Sequence, residues 1–314
     1  MATKRQKFPL TASSARFGYY PHRLSSTVGP VRIQPLPNLS RTVADVESSK
    51  GIENGWIYAP PRQRRDIMSG AVKTLPYPSR IFGLPKTHIF THTAADSADH
   101  LAFHLWCLSL FTGMRLTATD ADFIDATPLK PGTLVDFVLD EIDLPKTIEL
   151  AERFWIDNKN EPRRTRLVAA AVHALFLAHN PLLLQFEQFL LLYSGLDACY
   201  ALAAPLHSAP PRLGYAKRLQ WMCDLFGMTI PSWADPSVAT GSEAALLRNE
   251  SVHEALFVGE PLGFAIHGIG TNRNLPLEME ALICRLLVAL LGAPTAAYVT
   301  SPVNTHQRHA LDLP

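Results

Sequence analysis

The sequence predicts an α+β protein, in which a mixed, β-rich N-terminal domain precedes an all-helical C-terminal bundle. The length of 314 residues suits two domains, each large enough to bury a core. Short β-like segments alternate with Pro- and Gly-bearing turns between residues 17 and 92. A basic, polar stretch at 157–166 then precedes a series of long apolar segments. We therefore predict domains at 1–156 and 157–314.

In the first domain, five short segments have the composition and bounding turns of strands. They are FGYY at 17–20, VRIQPL at 31–36, GWIYA at 55–59, RIFGL at 80–84 and THIFTH at 87–92. An apolar helix should start near Ser97 or Asp99 and end near Gly113. LVDFVLD at 134–140 resembles a further strand, and Pro145 favours the first turn of a helix over 146–155.

Everything after 157–166 is predicted to be helical, with short loops between the helices. The predicted helices cover 167–179, 181–204, 215–228, 240–260 and 275–292. Such a series is typical of a helix bundle. The most apolar run, 167–206, is interrupted by polar residues that include His173, Glu187 and Asp197, so we expect buried helices and no membrane span.

Cysteine usage and the N-terminus predict a cytoplasmic protein. The four cysteines are far apart, form no C-x-x-C pair and lie in apolar helical segments: Cys107, Cys199, Cys223 and Cys284. They are expected to be reduced thiols in the core. The first 20 residues are basic and lack the apolar core of a signal peptide.

The net charge of +1 conceals an asymmetry along the chain. Residues 1–86 hold 14 Lys/Arg and 4 Asp/Glu (+10), residues 87–160 hold 5 and 12 (−7), and residues 161–314 hold 10 and 12 (−2). A basic first segment favours an anionic partner such as RNA. Equally, its charges could be solvated or could pair with the acidic second segment.

The predicted helix over 240–260 contains a cation where an apolar residue is expected. Thr240 or Ser242 can cap its start. At 100° per residue, Arg248 falls in the middle of a broad apolar arc. A guanidinium there is unfavourable unless an anion meets it. That anion is either a ligand phosphate or a carboxylate of the fold, for which the candidates are Glu187, Asp197, Glu278 and Glu280.

Residues 248–253, Arg-Asn-Glu-Ser-Val-His, resemble the signature motif of HEPN-domain ribonucleases, in which an Arg and a polar residue precede a His on a helix. The resemblance covers about residues 165–295 and implies an HEPN-like bundle there. It implies a metal-independent endoribonuclease that cleaves single-stranded RNA through attack by the 2′-hydroxyl. It further implies a role in phage defence or a toxin-like stress response, with the N-terminal domain sensing or regulating.

By the same resemblance, Arg248 binds the phosphate, His253 acts as acid or base and Asn249 positions them. Asp197 and Glu187 are expected to support the site, and Ser251 is a weaker candidate. Five residues along a helix separate Arg248 and His253 by roughly 140°. One helix therefore does not aim both side chains at one point, and two copies of the motif in a homodimer through the bundle would complete the site.

Several expectations follow for partners and cofactors. RNA is the expected substrate, with a regulatory protein or a larger defence complex as further partners. The residues Arg163, Arg164 and Arg166 could line an RNA path, although arginines in a boundary loop are often only solvated. No cofactor and no metal are expected. Nucleotide-hydrolysing, serine-hydrolase and nicotinamide-binding motifs are absent from the sequence.

Two other functions stay open at this point. The bundle could be a catalytically inactive module that binds nucleotides or a partner protein within a defence or toxin–antitoxin complex. It could also be a structural subunit of a larger defence assembly. The intact motif favours the enzyme, whereas the poor supply of polar residues around it favours a binding module.

Four histidines form a second pattern in the first domain: His88, His92, His100 and His104. Each pair is spaced i, i+4, so each shares a face on a strand or on a helix. With Asp96 and Asp99 nearby, a zinc site is conceivable. The usual spacings of zinc motifs are absent, however, so the simpler interpretation is that His104 packs in a helix and His88 and His92 lie on a sheet.

Overall fold

The computed structural model describes residues 13–79, 82–118, 126–140, 143–237, 242–253, 275–303 and 308–314, with the backbone alone at 250–253. The chain divides into two compact units, Met1–Thr133 and Leu134–Pro314. Both helices and strands are present, so the predicted mixed α+β class is confirmed. The predicted boundary at 156/157 differs from this division, since it falls inside a helix that spans Leu144–Asn158.

Unit 1 is built mainly of short antiparallel strands. Its elements are β1 (Ser14–Gly18), β2 (Ser26–Val28), β3 (Val31–Pro35), α1 (Leu39–Glu47), β4 (Ile52–Glu53), β5 (Trp56–Tyr58), β6 (Pro61–Arg65), β7 (Val72–Pro78), β8 (Lys86–His92), α2 (Ala98–Thr112) and β9 (Ala126–Pro128). The described strands form sheets in the orders β1-β8-β3-β2, β4-β5-β9 and β6-β7.

Strand β8 lies at the centre of the β1-β8-β3-β2 sheet. It pairs antiparallel with β1 and with β3, so that Phe90 lies opposite Ala15 and Ile33. Its buried residues His88, Phe90 and His92 alternate with half-buried ones, as expected for a strand with one face in the core. The predicted strand at 87–92 is thereby confirmed.

Helix α2 begins and ends where the sequence predicts. The Ser97 side chain accepts a hydrogen bond from the backbone N–H of His100, which caps the first turn. Gly113 closes the helix with a φ of 57°, a left-handed conformation that glycine adopts without strain. Most of the helix is buried, including His100 and His104.

The hairpin β6–β7 was not predicted. Nearly all of its side chains are exposed, and Ile67 and Met68 at the turn are each 96% exposed. Its strands carry part of the basic charge of the first segment, on Arg62, Arg64, Arg65 and Lys73. The strand predicted at 80–84 is wrong, since no strand covers its described residues Phe82–Leu84.

Unit 2 consists mainly of helices. Its elements are β10 (Phe137–Val138), α3 (Leu144–Asn158), α4 (Pro162–Ala178), α5 (Gln185–Leu206), α6 (Tyr215–Leu225), α7 (Glu243–His253), α8 (Leu275–Leu290), α9 (Ala297–Thr300) and β11 (His309–Ala310). Strands β10 and β11 pair in parallel. Helix α5 packs against α4 and α8. At the contact, a Cβ on Gly195 would lie 3.1 Å from Ile283 Cδ1, so glycine permits the close approach.

Helix α5 is long and apolar enough to cross a membrane by length and composition, with a mean hydropathy of 1.5 over its most apolar window. It is the one such helix among the residues that the structure describes. The core helix of a globular protein passes the same test, and α5 buries Phe189, Leu192 and Leu196 against its neighbours. The finding is therefore weak evidence for a membrane span.

A second arginine, which the sequence analysis did not single out, is sealed inside unit 2. Arg285 on α8 is 1% exposed. Its Nη1 donates to Asp136 Oδ2 at 2.5 Å and to the Ala281 carbonyl at 2.8 Å. Its Nε and Nη2 donate to the carbonyl and the hydroxyl of Ser301, both at 2.9 Å. The Tyr298 hydroxyl also donates to Asp136. This guanidinium is saturated by acceptors of the fold, which is the condition for burying it.

Candidate functional site

Helix α7 presents the motif arginine at a half-buried position. Ser242 caps the helix, since its hydroxyl accepts from the Ala245 N–H at 3.3 Å. Ala244 and Ala245 face the core, being 0% and 7% exposed. Arg248 follows Ala244 by one turn and is half-buried. The alternative cap Thr240 and the predicted continuation of the helix beyond His253 lie outside the described residues.

Arg248 belongs to a cluster of arginines and tyrosines contributed by α5, α6 and α7. We define the arginine–tyrosine cluster as Asp197, Tyr200, Tyr215, Arg218 and Arg248. The Cζ of Arg248 lies 4.2 Å from the centroid of the Tyr215 ring, and the Cζ of Arg218 lies 3.9 Å from the same centroid. Arg218 also lies 4.5 Å from the Tyr200 centroid. Distances of this kind are those of cation–π contacts.

Asp197 supplies the negative charge of the cluster. Its Oδ1 accepts from Arg218 Nη1 at 3.2 Å, and its side chain is 40% exposed. Burial raises the pKa of this carboxyl, while Arg218 and, more weakly, Arg248 oppose the rise. Asp197 was a predicted partner of Arg248, and the charge of Arg248 acts on this carboxyl only weakly. Its direct hydrogen bond is to Arg218, a residue that the sequence analysis did not weigh.

Tyr193 completes the surroundings of Asp197 from the buried side. It lies one turn before Asp197 on α5 and is 7% exposed. Burial raises the pKa of its phenol to about 12, and the Asp197 charge adds to the rise. The phenol is therefore neutral at physiological pH, and it can serve as a hydrogen-bond donor but not as an anion.

The other predicted carboxylates serve elsewhere in unit 2. Glu187 Oε2 accepts from the Leu184 N–H at 2.8 Å at the start of α5, and ten residues along a helix separate it from Asp197 by about 15 Å. Glu278 accepts from Trp233 Nε1 at 2.8 Å, and Glu280 lies 3.2 Å from His179 Nε2. Glu187 therefore caps the first turn of its own helix. Glu278 and Glu280 meet Trp233 and His179 through tertiary packing, which the spacing does not reveal.

Of the other motif residues, the structure describes the side chain of Asn249 and only the backbone of Ser251 and His253. Asn249 is exposed, and its Oδ1 accepts from Arg248 Nη1 at 3.2 Å, so it can orient the guanidinium. The backbones of Ser251 and His253 lie in α7, but their side chains are outside the described residues. The predicted angle of roughly 140° between Arg248 and His253 is that of a regular helix, and α7 is helical from Glu243 to His253.

The three arginines predicted to line an RNA path lie on a helix and not in a loop. Pro162 occupies the first turn of α4, which places Arg163, Arg164 and Arg166 on its first two turns. Arg163 and Arg166 are exposed, whereas Arg164 Nη1 donates to Asn158 Oδ1 at 2.9 Å. Arg164 therefore joins the end of α3 to the start of α4.

Sequence reasoning missed Tyr200, Tyr215 and Arg218. A signal was present, because Tyr215 and Arg218 have i, i+3 spacing at the start of a helix that follows a Pro-rich loop. The pairing of this turn with Asp197 and Arg248 spans 18 to 33 residues in sequence and depends on how α5, α6 and α7 pack. That packing is not encoded in local periodicity.

Unit 1 contains a second group of polar side chains, the trihistidine cluster of His92, His100 and His104. All three are buried, at 0%, 3% and 2% exposure. The ring centroids lie 4.4 Å apart for His92 and His100, and 5.3 Å apart for each of the other two pairs. Each ring offers a nitrogen within 4.8 Å of those of the other two. The simpler interpretation kept these histidines apart, and the structure brings three of the four together.

His88, the fourth histidine of the pattern, has a separate and structural environment. Its Nε2 accepts from the Leu24 N–H at 3.2 Å, and its ring stacks on Phe17 with the centroids 5.4 Å apart. Burial lowers the pKa of this imidazole to about 4. His88 is therefore a neutral core histidine. It lies on a sheet, as the simpler interpretation expected, although its burial was not predicted.

Comparison of the chain with models of known families, with curated proteins and with solved structures gave no match. The chemistry of the two clusters therefore carries the functional argument. The arginine–tyrosine cluster combines two permanent cations with an aromatic ring, Tyr215, that is 37% exposed. This combination suits a ligand that has phosphates and planar bases.

Proposed function

We propose that this protein is a metal-independent endoribonuclease of the HEPN type that cleaves single-stranded RNA, with residues 165–295 forming an HEPN-like bundle. The observation that carries the proposal is the half-buried position of Arg248 over the Tyr215 ring, beside a second guanidinium. A structural arginine in an apolar stripe is enclosed by acceptors. An arginine that lies over an aromatic ring at a partly exposed position keeps its permanent positive charge there, which suits contact with a phosphate.

The proposed reaction assigns a role to each residue of the motif. An imidazole, His253, takes the proton of the 2′-hydroxyl or protonates the departing 5′-oxygen, since His transfers protons near neutral pH. Arg248 binds the phosphate oxygens and stabilises the negative charge that develops at phosphorus. Asn249 orients Arg248 through the 3.2 Å hydrogen bond. The products are a 2′,3′-cyclic phosphate and a 5′-hydroxyl.

The other members of the cluster are assigned to binding. Arg218 is held by Asp197 and lies over two tyrosine rings, so it supplies positive charge at a fixed position. Tyr215 is exposed enough to stack on a base next to the scissile phosphate. Asp197 limits the net positive charge and orients Arg218, which is the supporting role that the resemblance implies.

We further propose that the active form is a homodimer in which two copies of α7 approach each other. On one helix, positions 248 and 253 are about 140° apart, so Arg248 and His253 of the same chain do not point at one phosphate. A site that combines Arg248 and His253 from two chains avoids this difficulty. A role in phage defence or stress response, with unit 1 as the regulatory part, follows from the resemblance alone. Partners beyond RNA would then be a regulatory protein or a defence complex in the cytoplasm.

The decisive experiment is cleavage of 5′-labelled single-stranded RNA by the full chain in excess EDTA, followed by analysis of the product ends. The proposal predicts EDTA-resistant cleavage that yields 2′,3′-cyclic phosphates. Arg248→Ala protein, purified in parallel, controls for contaminating ribonucleases. Cleavage that requires added Mg²⁺, or equal cleavage by the variant, would reject the mechanism.

The alternative function, an inactive module that binds nucleotides or a partner protein, is also resolved by this assay. Its supporting observation is that two guanidiniums lie over the ring of Tyr215. This combination suits phosphate binding without an imidazole. RNA or nucleotide binding that depends on Arg248 and Tyr215, without cleavage by the wild type under any condition tested, would establish the binding module.

A further inference from the structure

We propose that the trihistidine cluster of unit 1 binds a divalent transition-metal ion, Zn²⁺ or one of similar preference, that joins β8 to α2. This inference does not depend on the ribonuclease proposal, since the residues involved belong to a different cluster. His92 is the last residue of β8, and His100 and His104 lie on successive turns of α2. The ion would therefore connect a central strand to α2, whose His104 ring also contacts Phe90 of that strand.

The spacing of the rings matches that of imidazoles around one ion. Zinc binds imidazole nitrogen at about 2.0–2.1 Å, so two imidazoles on a tetrahedral ion have donor nitrogens about 3.4 Å apart and ring centroids about 5 Å apart. The observed centroid separations are 4.4, 5.3 and 5.3 Å. The donor atoms lie within 4.8 Å of one another, so a contraction of at most about 1.4 Å brings them to the separation of about 3.4 Å that two imidazoles on one ion have.

The elements that hold the three rings are themselves fixed. The antiparallel pairing of β8 with β3 places His92 opposite Val31. Ser97 caps α2 and donates its hydroxyl to Asp96 at 2.8 Å, and Gly113 ends the helix. The spacing of four residues then puts His100 and His104 on one helix face. A preformed set of donors lowers the ordering cost of metal binding.

His100 has the outer contact that metal-bound histidines usually have. Its Nδ1 lies 3.4 Å from Asp96 Oδ1, longer than a good hydrogen bond, and a closer approach of this carboxylate would favour the tautomer with the proton on Nδ1. That tautomer keeps the lone pair of the ring on Nε2. A carboxylate behind a ligating histidine fixes the ring and increases its basicity. The half-exposed Asp96 would supply this contact from the loop before α2.

Metal binding by His92 would require one change in the hydrogen bonding of its ring. Its Nδ1 accepts from the Ala94 N–H at 3.2 Å, which places the proton of the neutral ring on Nε2. Ligation through Nε2 would shift the proton to Nδ1 and break this contact, whereas ligation through Nδ1 would replace it. Ala94 is exposed, so water can satisfy its N–H in either case.

The donor set also selects the class of ion. Imidazole suits zinc, cobalt, nickel, copper and iron, whereas magnesium and calcium prefer oxygen ligands.

The test uses the full-length chain without an affinity tag of histidines. Metal analysis of the purified protein should find about one equivalent of transition metal per chain, and the apo protein should take up Co²⁺ with the visible absorption of a tetrahedral or five-coordinate site. His100→Gln and His104→Gln should each reduce the metal content to background. His88→Gln, which changes a buried histidine on the same strand, should leave it unchanged.

A ligand exchange keeps the proposal testable if the glutamine variants fail to fold. His104→Cys retains a metal-binding side chain, so it should bind Co²⁺ and show an added sulfur-to-cobalt charge-transfer band. Absence of metal in the wild type, with no shift of the melting temperature on addition of Zn²⁺ or Co²⁺, would overturn the proposal. Metal content that is equal in the wild type and the His100→Gln and His104→Gln variants would overturn it as well.

Discussion

Two arginines of unit 2, Arg285 on α8 and Arg248 on α7, lie among apolar neighbours in the sequence but have opposite surroundings in the structure. Arg285 is 1% exposed and donates to a carboxylate, three carbonyls and two hydroxyls. Arg248 is half-buried and lies over the Tyr215 ring, with its neighbour Asn249 as a hydrogen-bond partner. The fold therefore supplies acceptors for the N–H groups of Arg285.

This difference indicates how to interpret a charged residue in an apolar stripe. Both positions require an explanation on energetic grounds, because an uncompensated buried cation is strongly unfavourable. The explanation for Arg285 is an internal network with Asp136 and Tyr298. The explanation for Arg248 is an aromatic platform at a partly open position, which is a setting suited to binding an anionic ligand.

The largest effect is expected from Arg285→Ala, which removes the buried guanidinium that the fold holds in place. The substitution leaves Asp136 and several carbonyls without their donor, so we expect a loss of about 3–5 kcal/mol in the free energy of unfolding. Chemical denaturation of the wild type and the variant measures the loss. A loss below about 1 kcal/mol would show that the network is not structural.

Arg248→Ala should reduce RNA cleavage strongly and change stability little, unlike Arg285→Ala. Because the guanidinium is half-buried and held by an aromatic contact, stability should change by no more than about 1 kcal/mol. RNA cleavage should fall by about 10²- to 10³-fold, the usual effect of removing a group that stabilises transition-state charge. Denaturation and single-turnover cleavage on the same preparation provide the two readouts. Severe destabilisation without a specific loss of cleavage would assign Arg248 to the core.

Tyr215→Leu removes the aromatic ring that lies against Arg248 and Arg218 and keeps an apolar side chain. We expect RNA binding to weaken by about 1–3 kcal/mol, the value of one base stacked on an aromatic side chain. Binding is measured on a His253→Ala background to prevent cleavage, with Tyr215→Phe as the matched control. Equal affinities for the Leu and Phe variants would exclude stacking at this position.

Asp197→Asn should have the smallest effect, and it should depend on pH. Burial raises the pKa of Asp197 in the folded state, so the folded protein holds this proton more firmly than the unfolded chain does. The contribution of Asp197 to stability is therefore largest at acid pH and declines as pH rises above the ordinary carboxyl pKa. The variant cannot ionise, so its melting temperature relative to the wild type should increase from pH 4 to pH 7. A constant difference over this range would contradict the raised pKa.

Local signals in the sequence predicted much of the fold. The cap residues of α2, Ser97 and Gly113, act within one turn of the chain, and the alternation in β8 is a property of neighbouring residues. The hairpin β6–β7 escaped detection because both of its faces are exposed, so no apolar alternation marks its strands. The RIFGL segment has the composition of a strand, but of its described residues only Phe82 makes an isolated bridge and no strand forms.

The candidate sites were predicted less completely because their members meet through tertiary packing. Arg248 was singled out from the motif, but Tyr215 and Arg218 reach it only through the packing of α6 on α7 and α5. Arg285 was overlooked because its carboxylate partner lies 149 residues away in sequence. Spacing alone showed that His100 and His104 share a face, but not that β8 delivers His92 to them.

The most direct test of the central claim is the rate of RNA cleavage by His253→Ala in EDTA, measured beside the wild type under single-turnover conditions. Our account predicts that the rate falls by about 10²- to 10⁴-fold, because the variant lacks the group that transfers protons. The oligomeric state and the melting temperature should stay unchanged. An unaltered cleavage rate in the folded variant would contradict the claim that this protein is an Arg–His ribonuclease.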